Sequence, residues 1–336
     1  MRFILPRPLR WALVTLAALV LIGVGWFVLQ VHPLGSPGVK VIVVVHPGDS
    51  MSAIADEMAA KGVIASPLAF RIDTLLFSAP TIRPGSYEIA QGSSFAVVKS
   101  VFGAGPNVLT VQVTPGLTLH EVALLVANDR GSAFANTFVI DAQRAATVNP
   151  YQPNGSLEGL IGVGTYVVTP SETPATLVQH MENAFYKEAT SVGLSPTTTV
   201  EGLNAYEIVT AASIVEKEGY YARNMPNVAR VIFNRLARGG PLQMDATVLY
   251  YLGLDGGTVT HAMLETKTPY NTYLSPGLTP TPICSVSSTA LRAVLHAPPG
   301  PWLYFTVIDK SGTEAFAVTF AQQLANEKIA ASRGVG

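Results

Sequence analysis

The feature that most constrains this chain is Trp11–Val31, WALVTLAALVLIGVGWFVLQV, which runs 21 residues without a charge. An α-helix needs ~20 such residues to cross the hydrocarbon core of a bilayer. Arg2, Arg7 and Arg10 precede the run, and no Lys or Arg follows until Lys40. Basic residues stay on the cytoplasmic side, so the chain is expected to enter the membrane N-terminus first and to place everything after Val31 outside the cytoplasm. Trp11 and Trp26 stand near the two ends, where indole rings favour the interface. A cleaved signal peptide is the rival reading. The apolar run is long for that, and no clear A-x-A site follows it. Residues 1–10 therefore read as a cytoplasmic tail, 11–31 as a retained transmembrane helix, and 32–38, HPLGSPG, as a linker.

The 336 residues leave room for two or three further domains. A net charge of −1, with only 13% charged residues, offers no electrostatic footprint for nucleic acid. The single cysteine, Cys284, excludes an internal disulfide and a cysteine-based zinc cluster, and no residue near it in sequence would activate it as a nucleophile. The histidines at 32, 46, 120, 180, 261 and 296 lack metal-ligand spacing, so neither metal nor cofactor is expected. H-E-x-x-H, Ser-x-x-Lys, G-x-S-x-G and Walker motifs are all missing.

Val39–Val45 is a β-branched run that reads as a strand. Gly48-Asp49-Ser50 is a turn with Ser50 as N-cap, and a helix follows to about Gly62. Further helices are predicted over Pro67–Phe77 and Phe95–Val101, with a Pro84-Gly85 turn and an extended Tyr87–Ile89 between them. The unit recurs: Val113-Thr114-Pro115-Gly116 leads to Thr118 and Glu121 at capping-box spacing. Two small α+β modules, 39–106 and 107–170, are expected from this repeat. Residues 171–336 read as mostly helical, closed by a hairpin of Trp302–Ile308 with Ala315–Val318 and a last helix. The fold class is α+β: an N-terminal transmembrane helix, two small modules and a mixed α+β catalytic domain. The Pro-Gly turn and hydroxyl cap resemble the start of LysM-type sugar-binding modules, although a common β-turn-α packing unit has the same pattern.

Asn204–Gly219, NAYEIVTAASIVEKEG, concentrates the candidate chemistry. Asn204 is an N-cap with Glu207 three residues on. Ile208, Ala212 and Val215 share one face, and Glu216 sits at its border. A carboxyl half-shielded by an apolar wall has its charged form disfavoured, as a general acid near neutral pH requires. Glu218 lies about 200° around the helix from Glu216, so one site is not expected to use both. A solvated Glu-Lys-Glu helix end is the plainer alternative. The next helix, from Pro226 to Gly239-Gly240, carries Arg230, Asn234 and Arg235. Gln243 and Asp245 follow, then Tyr270, Asn271 and Tyr273. Rings stack on pyranose faces, and amides hydrogen-bond hydroxyl and N-acetyl groups.

Four ordered motifs carry a resemblance: ASIVEKE at 212–218, the V-x-x-V-I-x-N-R-L pattern ending at Leu236, LQMDATV at 242–248 and TPYNTY at 268–273. Together, over about Val39 to Lys328, they resemble the endolytic murein transglycosylase family (MltG/YceG-like). The resemblance implies a lyase anchored in the bacterial inner membrane with its catalytic part outside the cytoplasm. Such an enzyme cuts nascent peptidoglycan internally between N-acetylmuramic acid and N-acetylglucosamine. It leaves 1,6-anhydro muramyl ends and so terminates strand elongation. Its single catalytic glutamate falls on Glu216, with Arg235, Gln243, Asp245, Tyr270, Asn271 and Tyr273 as substrate-binding candidates. Peptidoglycan strands and the membrane are the implied partners, and a peptidoglycan synthase is a further partner class that the sequence does not specify.

The chain departs from the family pattern in three places. Glu158–Tyr166, EGLIGVGTY, lacks the usual Pro and Asp, PTPICS at 280–285 replaces a Pro/Gly-rich loop, and Glu314 stands where a His is usual. A non-catalytic peptidoglycan-binding or divisome scaffold is the rival class, and a hydrolase using the same acid with water is another. The anchor reading predicts that the full chain fractionates with membranes and is cut by protease only from the periplasmic side. A soluble mature form beginning near residue 30 would contradict it.

Overall fold

The computed structural model describes residues 7–152, 155–219 and 221–335. Residues 1–6, which hold Arg2 of the basic tail, and residues 153–154, 220 and 336 lie outside the described residues. The chain is mixed α+β and divides into two compact units, Met1–Leu109 with Val167–Ser171, and Thr110–Tyr166 with Glu172–Gly336.

The first unit begins with α1 (Arg7–Val31), which has the length and composition of a single membrane span. None of its residues is fully buried. After it come β1 (Lys40–Val45), α2 (Met51–Ala60), α3 (Pro67–Phe77), β2 (Gly85–Ala90) and α4 (Phe95–Ala104). β1 and β2 pair antiparallel from Lys40↔Ala90 to Val45↔Gly85. The period-two pattern is visible in β1, where Val43 and Val45 are buried and Val44 between them is exposed. Each of the three following helices starts on a serine. Ser50, Ser66 and Ser94 accept from the N–H groups of Ala53, Ala69 and Val97 at 3.2, 3.2 and 3.4 Å. The helices close on an aromatic core, with Phe70 edge-on to Phe95 and Tyr87 edge-on to Phe102.

The second unit holds most of β3 (Leu109–Val113) and of β4 (Gly164–Val168) and the whole of α5 (Leu119–Arg130), α6 (Ser132–Ala146), α7 (Pro174–Ser191), α8 (Ala205–Glu218), α9 (Met225–Ala237), α10 (Asp245–Tyr251), the single turn α11 (His261–Leu264), α12 (Ser288–Leu295), β5 (Tyr304–Val307), β6 (Glu314–Ala317) and α13 (Phe320–Ser332). β3 pairs with β4, and β5 with β6 in an antiparallel hairpin. The Thr118–Glu121 and Asn204–Glu207 capping boxes both form, each satisfying two backbone donors at a helix start.

The helix that positions the site is α8, packed against α9 and α12. The single apolar face expected from Ile208, Ala212 and Val215 is only part of its burial. Every residue from Ile208 to Val215 is buried, because small Ala211, Ala212 and Ser213 let neighbours approach where larger side chains would hold them off. Burial relaxes at Glu216, and Glu216, Lys217 and Glu218 are all half-buried. The end is tightly closed: a Cβ at Gly219 would stand 2.9 Å from the Val215 carbonyl and 2.6 Å from the Met225 side chain.

The Pro-Gly turns require glycine. Gly48 and Gly116 hold φ of 89° and 87°, a region that a β-branched residue strongly avoids. The Gly116 N–H also donates to the Ser285 carbonyl at 2.9 Å, and its carbonyl accepts from Lys217 Nζ at 3.2 Å. Gly116→Val is therefore predicted to destabilise the protein by on the order of 1–3 kcal/mol. A thermal melt unchanged from wild type would contradict this.

Candidate active site

The last turn of α8 opens on a cleft of about 530 Å³, lined by Thr114–Leu117, Glu216–Glu218, Asp245, Ala246, Leu249 and Leu254–Gly257. Both glutamates reach it, although their angular separation suggested otherwise. The helix ends there, so no further turn screens either side chain.

Their surroundings differ. Glu216 is held by α12: its Oε2 accepts from the Ser287 N–H at 2.9 Å and the Ser287 hydroxyl at 2.6 Å. Ser287 is the N-cap of α12, and its Oγ also accepts from the Ala290 N–H at 3.1 Å. Glu216 thus ties the end of one buried helix to the start of another. Among the described residues Glu218 makes a single hydrogen bond, accepting from the Ala246 N–H at 3.2 Å in the first turn of α10. Burial pushes its carboxyl up to about 7. The Ala246 N–H opposes the rise, the carboxylates of Asp245 and Glu314 add to it, and Arg235 opposes it.

The residues around Glu218 come from three non-local segments. Arg235 of α9 donates from Nε to the Leu303 carbonyl at 2.7 Å and from Nη1 to the Leu242 carbonyl. Its guanidinium lies 5.4 Å from the Tyr304 ring centre. Asp245 Oδ1 accepts from the Tyr273 hydroxyl at 2.6 Å. Burial and that hydrogen bond raise the Tyr273 phenol, so it stays a donor. Gln243 is exposed with φ 53°, and its N–H donates to the Thr272 carbonyl at 2.9 Å. Met244 N–H and the Thr247 hydroxyl both meet the Thr272 hydroxyl, at 3.1 and 2.9 Å. The segments carrying Asp245 and Tyr273 are thereby locked together.

The other two binding candidates are occupied by the protein itself. Asn271 is fully buried, donates to the Leu264 and Thr266 carbonyls at 2.8 Å each, and accepts from Tyr273 N–H at 3.0 Å. Tyr270 meets the Thr281 hydroxyl at 2.9 Å and lies with Tyr250 and Tyr251, centroids 5.3 and 6.2 Å away. Both hold the loop in place, and of the six binding candidates Asp245 alone is among the cleft-lining residues.

Three further charged groups stand in or near this part of the unit, of which Lys217 lines the cleft. Lys217 bridges Asp255 at 2.7 Å, fixing one rim of the cleft. Burial lowers its pKa, but the hydrogen bond and charge of Asp255 outweigh this and leave it raised. Glu314 of β6 is raised to about 7 by burial, against the opposing Asn224 amide and Arg223 charge. Buried Glu158, likewise raised to about 7 by burial, accepts from the Leu119 N–H at 2.9 Å and the Tyr250 hydroxyl at 3.1 Å. A larger cavity of 650 Å³ lies at the other end of α8, around Asn204–Glu207 and Thr279, but Glu207, its one carboxylate, is committed to the capping box. Cys284 is buried, its thiol pushed well up and donating to the Ser213 carbonyl, which suits a packing role.

Two of the three departures share one packing unit. A Cβ on Gly159, whose φ is 75°, would lie 2.4 Å from Pro282 and 3.3 Å from the Cys284 carbonyl. The altered 158–166 and 280–285 segments thus fit each other, and the Ile283 N–H donates to the Ser213 hydroxyl of α8 at 2.9 Å.

Fold and cleft define a class of α+β protein that aims a desolvated carboxyl from a helix end into an open groove. The chain belongs to the YceG-like family, whose model matches residues 43–329. It is 28% identical over 305 residues to a Bacillus subtilis protein named endolytic murein transglycosylase, covering 85% of this chain and 84% of that one. A Streptococcus pneumoniae protein of the same name is 26% identical over 85% of this chain, which spans only 57% of the relative's length. The crystal structure of a YceG-like protein from Listeria monocytogenes has the same fold, with TM-score 0.56, 22% identity, and coverage of 86% of this chain and 99% of that one.

Glu158 gives a pH prediction with a definite sign. Its carboxyl rises from 4.5 to about 7 on folding, so its stabilising effect is complete at low pH and is lost as pH climbs through that interval. Relative to Glu158→Gln, the wild type should lose on the order of 1–3 kcal/mol between acid and mildly alkaline pH, read from denaturant titrations. Parallel pH–stability curves for the two proteins would contradict it.

Proposed function

We propose that this chain is an endolytic murein transglycosylase and that Glu218, rather than Glu216, is its acid/base. The observation that carries the assignment is the environment of Glu218. It is a desolvated carboxyl raised to about 7, holding one weak hydrogen bond and lining the cleft beside Asp245. Glu216 lines the same cleft but has its carboxylate engaged by Ser287. The family and the names of its relatives support the reaction class.

In this reading Glu218 begins protonated and donates to the glycosidic oxygen between N-acetylmuramic acid and N-acetylglucosamine. The resulting carboxylate then takes the proton of the muramyl C6 hydroxyl as that oxygen closes on C1, releasing a 1,6-anhydro end. One carboxyl serves both steps because the nucleophile belongs to the substrate. Burial keeps the pKa of Glu218 high, the charge of Asp245, held by Tyr273, adds to it, and Arg235 limits the rise. Asp245 lines the cleft and is the nearest glycan contact, Arg235 and Tyr273 position it and Glu218, exposed Gln243 extends the contact surface, and Asn271 and Tyr270 fix the loop that carries Tyr273. α1 anchors the chain in the cytoplasmic membrane with its bulk outside. The 39–106 and 107–170 stretches act as LysM-like modules that guide a nascent strand from a neighbouring synthase.

Full-length Glu218→Gln should lose about 10²–10⁴-fold in release of muropeptides from purified peptidoglycan. Glu216→Gln should retain most of the activity, with a lower melting temperature. The wild-type kcat/KM should fall as pH rises through about 7, where the acid is lost. Mass analysis should find anhydro ends. Reducing ends would indicate a hydrolase, two fully active variants would place the catalytic group outside this helix, no release by the wild type would indicate a scaffold, and an inactive, folded Glu216→Gln beside an active Glu218→Gln would reverse the assignment.

A further inference from the structure

Helix α3 places Ala69 and Phe70 in the core of the first unit, with Asp73 and Thr74 buried beside them and Asp73 paired with Lys99 at 2.6 Å. Its outer side carries Leu68, Ile72, Leu75 and Leu76, spaced i, i+4, i+7 and i+8, with exposed Arg71 among them. Leu68, Leu75 and Leu76 are 56%, 85% and 65% exposed, and Phe77 at the helix end is 62% exposed. Single exposed leucines are ordinary, but a contiguous set on one short helix marks an interaction surface.

The neighbour of this patch identifies its occupant. α3 contacts α1, and Phe27 and Val31, in the last turns of α1, pack against the first unit's core. A span beginning near Trp11 leaves the hydrocarbon about 20 residues later, close to Val31. The body of the first unit therefore starts at the outer interface of the bilayer, and α3 lies beside the emerging helix. We infer that the outer face of α3 is a second membrane contact that lies in the lipid interface alongside α1 and fixes the tilt of the first unit on the bilayer. Such a helix needs only one apolar face immersed to the level of the headgroups.

This inference rests on α1 being a membrane anchor, and the test separates the two. The full chain is placed in phosphatidylcholine–phosphatidylglycerol vesicles with a nitroxide on Leu76→Cys or on Leu19→Cys, with the unmodified chain, whose Cys284 is buried, as the labelling background. Collision of the nitroxide with oxygen and with a water-soluble nickel complex is then compared. The oxygen-to-nickel ratio should be high at both positions. A high ratio at Leu19→Cys with a water-like ratio at Leu76→Cys overturns the inference and leaves the anchor standing. Water-like ratios at both positions overturn both. Shielding from both collision partners at Leu76→Cys, with spin–spin broadening, would show a second copy of the chain on the patch and overturn it too.

Discussion

Helix α8 has no free side from Ile208 to Val215, and Gly219 closes against Met225 immediately after its end. The helix therefore cannot rotate or fray without opening the core it shares with α9 and α12. Its last turn is the first point at which side chains leave that core, and two carboxyls leave it there. A carboxyl emerging from a closely packed, water-poor environment resists ionisation, which turns an ordinary glutamate into a group able to hold a proton near neutrality. The fixed end of α8 thus determines both where the Glu218 carboxyl stands and how acidic it is.

The elements around that end divide the work. α12 engages Glu216 through the Ser287 N–H and hydroxyl, an arrangement that joins two helices and leaves little of that carboxylate's capacity for substrate. α10 meets Glu218 with one backbone N–H, while the Tyr273 hydroxyl holds Asp245 beside it. Placing two further carboxylates, Asp245 and Glu314, near Glu218 raises the free energy of its ionised form. Arg235, aimed at the carbonyls of Leu242 and Leu303, tempers that effect and also joins α9 to the hairpin. A charge pattern that works against native stability near neutral pH fits a site arranged for proton transfer.

What was legible in the sequence was local. Ser50 and Asn204 cap the helices they were expected to cap, Thr118 forms its box with Glu121, and α3 spans the predicted Pro67–Phe77. Each depends on a few adjacent residues and on backbone donors that must be satisfied wherever a helix starts. The different surroundings of Glu216 and Glu218 were not legible. Helical periodicity identified Val215 as apolar but could not show that Ala211 and Ser213 are buried as deeply, nor that Ser287, 71 residues on, would take up the Glu216 carboxylate. Glu314 was visible as an unusual residue in the hairpin, yet its effect on Glu218 depends on the packing of β6. The hydrogen bonds of Asn271 to the Leu264 and Thr266 carbonyls and of Tyr270 with the Thr281 hydroxyl likewise depend on the loop's folding and were not legible.

The most direct test of this account is the ionisation of Glu218 itself. Difference infrared spectra of the full-length wild type against Glu218→Gln, recorded across pH 5 to 9 in detergent or lipid, isolate the carboxyl stretch of that one residue. The account predicts a protonated carboxylic acid band that disappears with a midpoint near 7, in the cleft's desolvated environment. A Glu218 already fully ionised at the acid end of the range would contradict it, because a carboxylate at rest has no proton to give the leaving oxygen.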